Sequence, residues 1–213
     1  MIFVWIALYG LILSLSKSPI VSPWVTSLTM ILYVLILIFL IFQTGQNQSI
    51  GLRAMNFRQA YENLFFFPLC VIPLYNILHG TANSIDIAQS LFIAGVSVVE
   101  ELYFRGFLLN LLSKRSKFNG ILLSSGVFAL FHAVNLFSSL DLPYTLMQIL
   151  VAFVVGVCYS AVSVKSGSLI PCMIAHCLTN VTGLKCESIG IGLWICLVIH
   201  VWYAIWLCRR LDK

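Results

Sequence analysis

Three ionisable side chains lie in the middle of a strongly apolar stretch of the sequence. Glu100, Glu101 and Arg105 are flanked on both sides by valine, leucine and phenylalanine residues. A charged side chain at a bilayer midplane costs at least ~2.5–3.5 kcal/mol, so packing does not account for three of them. Ionisable groups in such surroundings indicate a polar active site or an ion pathway inside a membrane protein.

Two further apolar stretches contribute His132, His176 and Asn180. His176 and Asn180 are four residues apart and can therefore share one face of a helix. A glutamate and a histidine that converge on a water molecule form a general base, and a histidine and an asparagine can donate hydrogen bonds to an oxyanion. These residue types predict hydrolysis of an amide without a covalent enzyme intermediate.

The two neighbouring glutamates cannot have the same role. Successive residues on a helix diverge by about 100° around its axis. Glu101 and Arg105 are four residues apart with the acid first, which is the better orientation for an ion pair. We therefore expect Glu101 to pair with Arg105, and Glu100 to face the histidines.

The composition places nearly all of the chain in a membrane. Apolar residues make up 61% of the sequence and charged residues 9%, and the mean hydropathy is +1.01. A soluble domain carries about 25% charged residues. We predict an all-α, polytopic membrane protein that forms a single transmembrane domain over residues 1–213, with a buried polar active site.

The apolar stretches predict about eight transmembrane helices around this site. The first and seventh are short, because a span takes ~20 residues. At a rise of ~1.5 Å per residue, Glu100, His132, His176 and Asn180 lie at similar depths, about 17–22 Å from one membrane surface. The predicted ranges are 2–15, 24–42, 62–79, 86–112, 118–139, 144–164, 168–184 and 188–208.

The basic residues outside these helices predict the orientation of the chain. Only Lys17 and Lys185 fall in the odd-numbered loops. By the positive-inside rule both termini are then cytoplasmic. Topology and contact with membrane lipid account for these charges, and nothing indicates nucleic acid as a partner. The even-numbered loops and the C-terminal tail hold Arg53, Arg58, Lys114, Arg115, Lys117, Lys165, Arg209, Arg210 and Lys213.

Three motifs in order resemble the signature of the CPBP intramembrane proteases, also called the Abi family, which includes the type II CAAX prenyl endopeptidases. The first motif is Glu100-Glu101-x-x-x-Arg105. The second is Phe128-x-x-x-His132, and the third is His176-x-x-x-Asn180. The resemblance covers a catalytic core at about residues 84–183.

The resemblance implies a fold of about eight helices with an active site inside the membrane, open to the cytosolic side or laterally to lipid. It implies that Glu100 and His132 activate a water molecule, and that His176 and Asn180 stabilise the oxyanion. The substrate would be a peptide, or the tail of a lipidated or otherwise membrane-associated protein.

Four other residues have expected supporting roles. Glu101 and Arg105 resemble the family's supporting ion pair. Asn135 is expected to form a hydrogen bond between helices, and Phe128 to pack against the wall of the site.

The sequence leaves metal dependence open. A glutamate-type mechanism requires no cofactor, and the sequence contains no H-E-x-x-H motif. Glu100, His132 and His176 could nevertheless form a three-ligand zinc site with one open position.

Two other functions compete with proteolysis. Intramembrane Glu, Arg and His residues also form proton relays in transporters, although no inverted repeat is evident in this sequence. The same scaffold could instead act as a non-catalytic, peptide-binding protein of bacteriocin immunity. The small size and short loops favour a protein of the bacterial cell membrane, and an accessory partner protein is left open.

Overall fold

The computed structural model of the protein describes residues 2–62, 66–80, 86–137, 141–183 and 190–211. Within these ranges every regular element is helical, which confirms the all-α prediction for the described part of the chain. The α-helices in chain order are α1 (Ile2–Ser16), α2 (Pro23–Gln43), α3 (Phe57–Glu62), α4 (Phe66–His79), α5 (Ile87–Leu112), α6 (Lys117–Phe131), α7 (Leu142–Ser166), α8 (Ile170–Gly183) and α9 (Ile191–Cys208).

Five of the described helical segments are long and apolar enough to cross a membrane. They are α2, α5, α7, α9 and the segment Lys117–Leu136, which consists of α6 and most of the short 3-10 helix that follows it. The apolar helices α1, α4 and α8 have 15, 14 and 14 residues, fewer than the ~20 of a full span. The chain is therefore an integral membrane protein, and eight spans remain a prediction.

The outer face of α2 is typical of a helix that contacts lipid. Leu28, Leu32, Leu35 and Phe39 recur at helical spacing, and each side chain is more than half exposed. Such a stripe would be unfavourable in water but is stable against hydrocarbon. The opposite face of α2 packs on α5, with Met30 and Tyr33 buried between them.

Local structure differs from the predicted uniform α-helix within α5. Residues Glu101–Leu108 form a π-helical segment, in which backbone hydrogen bonds close five residues apart instead of four. At its end, the Leu109 amide donates to the Phe104 carbonyl. Inserted π turns of this kind are frequent at functional sites.

The predicted helix 118–139 also changes character before its end. The α-helix stops at Phe131, and His132–Phe137 is a 3-10 helix. The His132 amide donates to the carbonyl oxygens of Ala129 and Leu130. The Phe128 carbonyl, which would accept this amide in a continuing α-helix, accepts from the His132 ring instead. Positions 138 and 139 lie outside the described residues.

Two of the predicted loops differ from the observed helix bounds or extend beyond the described residues. The stretch from residue 43 to residue 61, predicted as a loop, contains α3, on which Arg58 and Glu62 form an exposed i, i+4 ion pair. Lys185 and the predicted helix ends at 184 and 188 lie outside the described residues.

The helices that carry the candidate residues pack against one another. α5 lies between α2 and α8, its π-helical segment contacts α6, and α7 packs along α6 and α9. Asp86 caps the start of α5 by accepting a hydrogen bond from the Gln89 amide, at 3.1 Å. This arrangement places the middle of α5 beside the end of α6 and the second half of α8.

Candidate active site

The four predicted catalytic residues line one cavity inside the helix bundle. The cavity has a volume of about 840 Å³, and Glu100, His132, His176 and Asn180 all lie on its wall. They come from α5, from the start of the 3-10 helix and from α8. Residues far apart in sequence therefore surround one space, while their chemical roles remain predictions.

A buried triad of Glu101, Arg105 and His176 forms one side of this site. The Arg105 Nη1 donates to Glu101 Oε1 at 3.0 Å, and His176 Nδ1 lies 2.8 Å from the same oxygen. The Glu101 side chain is fully buried, and that of Arg105 is 1% exposed. The predicted Glu101–Arg105 pair is present, and His176 is an additional partner.

The contact with Glu101 fixes the orientation of the His176 ring. The Glu101 carboxylate, paired with Arg105, can only accept a hydrogen bond, so the proton on His176 Nδ1 points at it. Nε2 then faces the cavity, where it lies 3.6 Å from Glu100 Oε2. A second carboxylate and a ring nitrogen thus meet where a substrate could bind.

The His132 ring is fixed by its own helix. His132 Nδ1 lies 3.1 Å from the Phe128 carbonyl oxygen, which can only accept. The proton of a neutral ring is therefore on Nδ1, and Nε2 carries the lone pair that can accept a proton. The side chain is only partly buried and lines the cavity.

The two asparagines make different contacts. Asn180 Nδ2 donates to Ser97 Oγ at 2.9 Å, which ties α8 to α5 beside Glu100. Asn135 Nδ2 donates to Gln148 Oε1 at 2.8 Å, which joins the 3-10 helix to α7. The Asn135 contact is the inter-helix hydrogen bond expected from the sequence.

Phe128 packs against the charged groups of the site, as its predicted place in the wall requires. The Arg105 guanidinium carbon lies 4.0 Å from the Phe128 ring centroid. The His132 and His176 rings lie nearly perpendicular to the same ring, with centroids 5.1 and 5.9 Å away. A cation over an aromatic face is stabilised without water, so this ring helps to keep Arg105 buried.

The sequence interpretation missed several contributors to the site. Tyr9 on α1 donates a hydrogen bond from its hydroxyl to Glu100 Oε1 at 3.2 Å. Ser97 holds Asn180, and Gln148 holds Asn135. Ser97 lies one helical turn before Glu100 and could have been suspected, whereas nothing in the spacing of Tyr9 indicates its contact.

The zinc site that the sequence left open would use Glu100, His132 and His176 as its ligands. Among the described residues, no group of three or more His, Cys, Asp or Glu side chains is arranged to hold a metal ion. A zinc set needs its ligand atoms at about 2.0–2.2 Å from one point. Glu100, His132 and His176 line the same cavity, with Glu100 Oε2 and His176 Nε2 3.6 Å apart, and metal dependence stays an open prediction.

The cavity lies toward one end of the bundle. Its lining comes from the end of α1 at Ser16, the start of α7 at Tyr144, the end of α8 at Gly183 and the start of α9 at Leu193. The other end, which we call the basic end, carries eight described cations that do not line the cavity, whereas Lys17 and Arg105 do line it. The eight are Arg53, Arg58, Lys114, Arg115, Lys117, Lys165, Arg209 and Arg210.

Backbone contacts hold the basic end together. The Lys117 ammonium donates to the Leu211 carbonyl at 3.3 Å, and Lys165 donates to the Arg210 carbonyl. Arg53 Nε donates to the Gly167 carbonyl at 2.7 Å. These loops therefore share one face of the protein, remote from the mouth of the cavity.

Comparison with known families agrees with the site. Residues 77–182 match the family model described as Rce1-like, type II CAAX prenyl endopeptidase. No curated protein and no solved structure matches the chain. The matched segment contains all three sequence motifs and every predicted catalytic residue. The chain thus belongs, through residues 77–182, to the Rce1-like family of type II CAAX prenyl endopeptidases.

Proposed function

We propose that the protein is an intramembrane endopeptidase that hydrolyses a peptide bond in a membrane-associated peptide or protein tail. Water is activated by Glu100 and His132, and the oxyanion is stabilised by His176 and Asn180. The observation that carries the proposal is the meeting of Glu100 and His176 across the cavity, at 3.6 Å. It falls within the segment that matches the protease family.

The proposed reaction uses residues that line the cavity. Glu100 takes one proton from water as the water oxygen attacks the peptide carbonyl carbon, while His132 Nε2 accepts a hydrogen bond from the same water. The resulting tetrahedral oxyanion accepts hydrogen bonds from His176 Nε2–H and from the Asn180 amide. When the C–N bond breaks, the proton passes to the leaving amine, and the general base is restored.

The buried triad supports this chemistry by preparing His176. Donation to an oxyanion requires a proton on Nε2, and with Nδ1 also protonated the ring is cationic. The Glu101 carboxylate at 2.8 Å stabilises that cation. Arg105 in turn keeps Glu101 ionised in surroundings where an isolated carboxylate would be unstable.

The finer placement of the protein is part of the proposal. The chain lies in a bacterial cell membrane with about eight spans and with both termini in the cytoplasm, as the distribution of basic residues predicts. Lipid and the peptide substrate are its partners, and an accessory protein could present the substrate.

A peptide library tests the proposed activity directly. Purified wild type should cleave members of a quenched-fluorescent library, and Glu100→Gln should lower the rate by on the order of 10²–10⁴, the usual contribution of a general base. Glu62→Gln is the matched control, because it neutralises an exposed glutamate outside the cavity. We expect it to cleave like wild type.

The same experiment separates the competing functions. Activity of Glu100→Gln equal to that of wild type would refute the proposed mechanism. If a folded wild-type protein cleaves nothing, while a protective phenotype against a bacteriocin survives Glu100→Gln, the immunity role replaces it. Proton-coupled flux into proteoliposomes without cleavage would instead support a transporter.

A further inference from the structure

The strongest contact to Glu100 from outside the matched segment comes from α1. Tyr9 donates to Glu100 Oε1 at 3.2 Å, while Glu100 Oε2 faces His176 Nε2. The two carboxylate oxygens therefore have separate partners, one in α1 and one in α8. Residues 77–182 include Glu100 and His176 but not Tyr9.

The position of Tyr9 is set by a small aromatic cluster. The Tyr9 ring stacks on Tyr33 of α2, with centroids 6.4 Å apart and planes at 17°. It also contacts Tyr103 in the π-helical segment in a T-shaped arrangement, with centroids 6.3 Å apart. Tyr33 is buried, so this stack holds the first helix against α5 at the level of Glu100.

The other hydrogen bonds of the cluster do not involve the Tyr9 hydroxyl, which donates to Glu100. Tyr33 Oη lies 2.6 Å from the Trp5 carbonyl oxygen, which can only accept, so the Tyr33 proton is used there. Tyr33 Oη therefore accepts from the Tyr103 hydroxyl, 2.6 Å away. Trp5 lies one helical turn before Tyr9, so the Tyr33–Trp5 hydrogen bond anchors α1 where Tyr9 reaches the carboxylate.

From this geometry we propose that Tyr9 is a positioning residue of the active site, which holds Glu100 Oε1 so that Oε2 faces His176 and the reacting water. The inference rests on the proposed function of Glu100. It adds that the site is incomplete without α1, since a carboxylate free to rotate would lose its alignment with the other groups. A displacement of about 1 Å in a catalytic group can lower the rate about 10²-fold.

Kinetics of Tyr9→Phe test the proposal, because this change removes the hydroxyl and keeps the stacked ring. We expect kcat to fall about tenfold with KM nearly unchanged. Tyr103→Phe is the matched control, since it removes a hydroxyl from the same cluster without touching Glu100. We expect it to change the thermal midpoint more than kcat.

A double-mutant cycle separates positioning from a general structural effect. Glu100→Asp shortens the side chain by one methylene and breaks the contact with Tyr9 by itself. Adding Tyr9→Phe to Glu100→Asp should then cost little further activity. An equal loss in both backgrounds, or a wild-type kcat for Tyr9→Phe while Glu100→Gln is inactive, would overturn the role of Tyr9 and leave the protease proposal intact.

A labelling measurement tests the contact without any cleavage. An apolar carbodiimide couples to carboxyl groups, and mass spectrometry can compare Glu100 with the fully buried Glu101 as an internal reference. Because the Tyr9 hydroxyl covers Oε1, Tyr9→Phe should be labelled at Glu100 several-fold faster than wild type. Equal labelling rates in wild type, Tyr9→Phe and Tyr103→Phe would refute the proposal even if the protein proves not to be a protease.

Discussion

At the scale of single residues, the site depends on one carboxylate oxygen that accepts hydrogen bonds from two side chains. Glu101 Oε1 accepts from both Arg105 and His176. Among the described residues, Arg105 Nε and Nη2 find no hydrogen-bond partner. The charge of Glu101 and the face of Phe128 are therefore the main groups that stabilise the buried guanidinium.

Neutralising Glu101 should destabilise the fold as well as the site. Glu101→Gln leaves Arg105 buried without a counter-charge, and breaking a buried pair in this way costs about 3–5 kcal/mol. We expect a large drop in the unfolding midpoint of the detergent-solubilised protein. Glu62→Gln breaks an ion pair of the same i, i+4 spacing at an exposed site and should leave the midpoint unchanged. Equal shifts for the two variants would contradict the role assigned to Glu101.

At the scale of helices, the residues that meet at the site were largely predictable from the sequence. The local helix geometry that positions them was not. The i, i+4 spacing of Glu101 and Arg105 correctly indicated their ion pair. The π-helical segment Glu101–Leu108 and the 3-10 helix His132–Phe137 were missed. Apolar periodicity cannot reveal them, because it reports which face of a helix is buried and not how the backbone hydrogen bonds are spaced.

α7 approaches the buried Arg105 closely at Gly156, and a larger side chain there would test this packing. A Cβ added at Gly156 would lie 3.2 Å from Arg105 Nη2 and 3.3 Å from Ser125 Cβ. Gly156→Ala should therefore displace α7 or Arg105, costing about 1–3 kcal/mol of stability as in other overpacked sites, together with several-fold lower activity. Gly126→Ala on α6 is the control, because nothing lies within 4 Å of its added Cβ. Wild-type stability and activity in Gly156→Ala would contradict this packing.

At the scale of the whole molecule, the position of the cavity bears on how a substrate would reach it. The family resemblance implies access from the cytosolic side or laterally from lipid, and both routes stay predictions. The helix ends that line the cavity lie away from the basic end, which the positive-inside rule predicts to be cytoplasmic. The charge distribution therefore predicts that a substrate reaches Glu100 from the opposite side of the membrane.

Cysteine accessibility can test this direction. In a variant without native cysteines, Ser16→Cys at the cavity should react with a membrane-impermeant maleimide added to intact cells. Arg115→Cys at the basic end should react only after permeabilisation. Reaction of Arg115→Cys alone in intact cells would reverse the orientation and restore the cytosolic access that the resemblance implies.

The most direct test of the central claim is kcat/KM for one cleaved peptide, measured with wild type and Glu100→Gln before and after exhaustive zinc chelation. We expect chelation to leave wild type unchanged, because the proposed general base is a carboxylate that needs no metal. We also expect Glu100→Gln to be slower by at least about 10² in either condition. Loss of wild-type activity on chelation with recovery on added zinc, or full activity of Glu100→Gln, would contradict it.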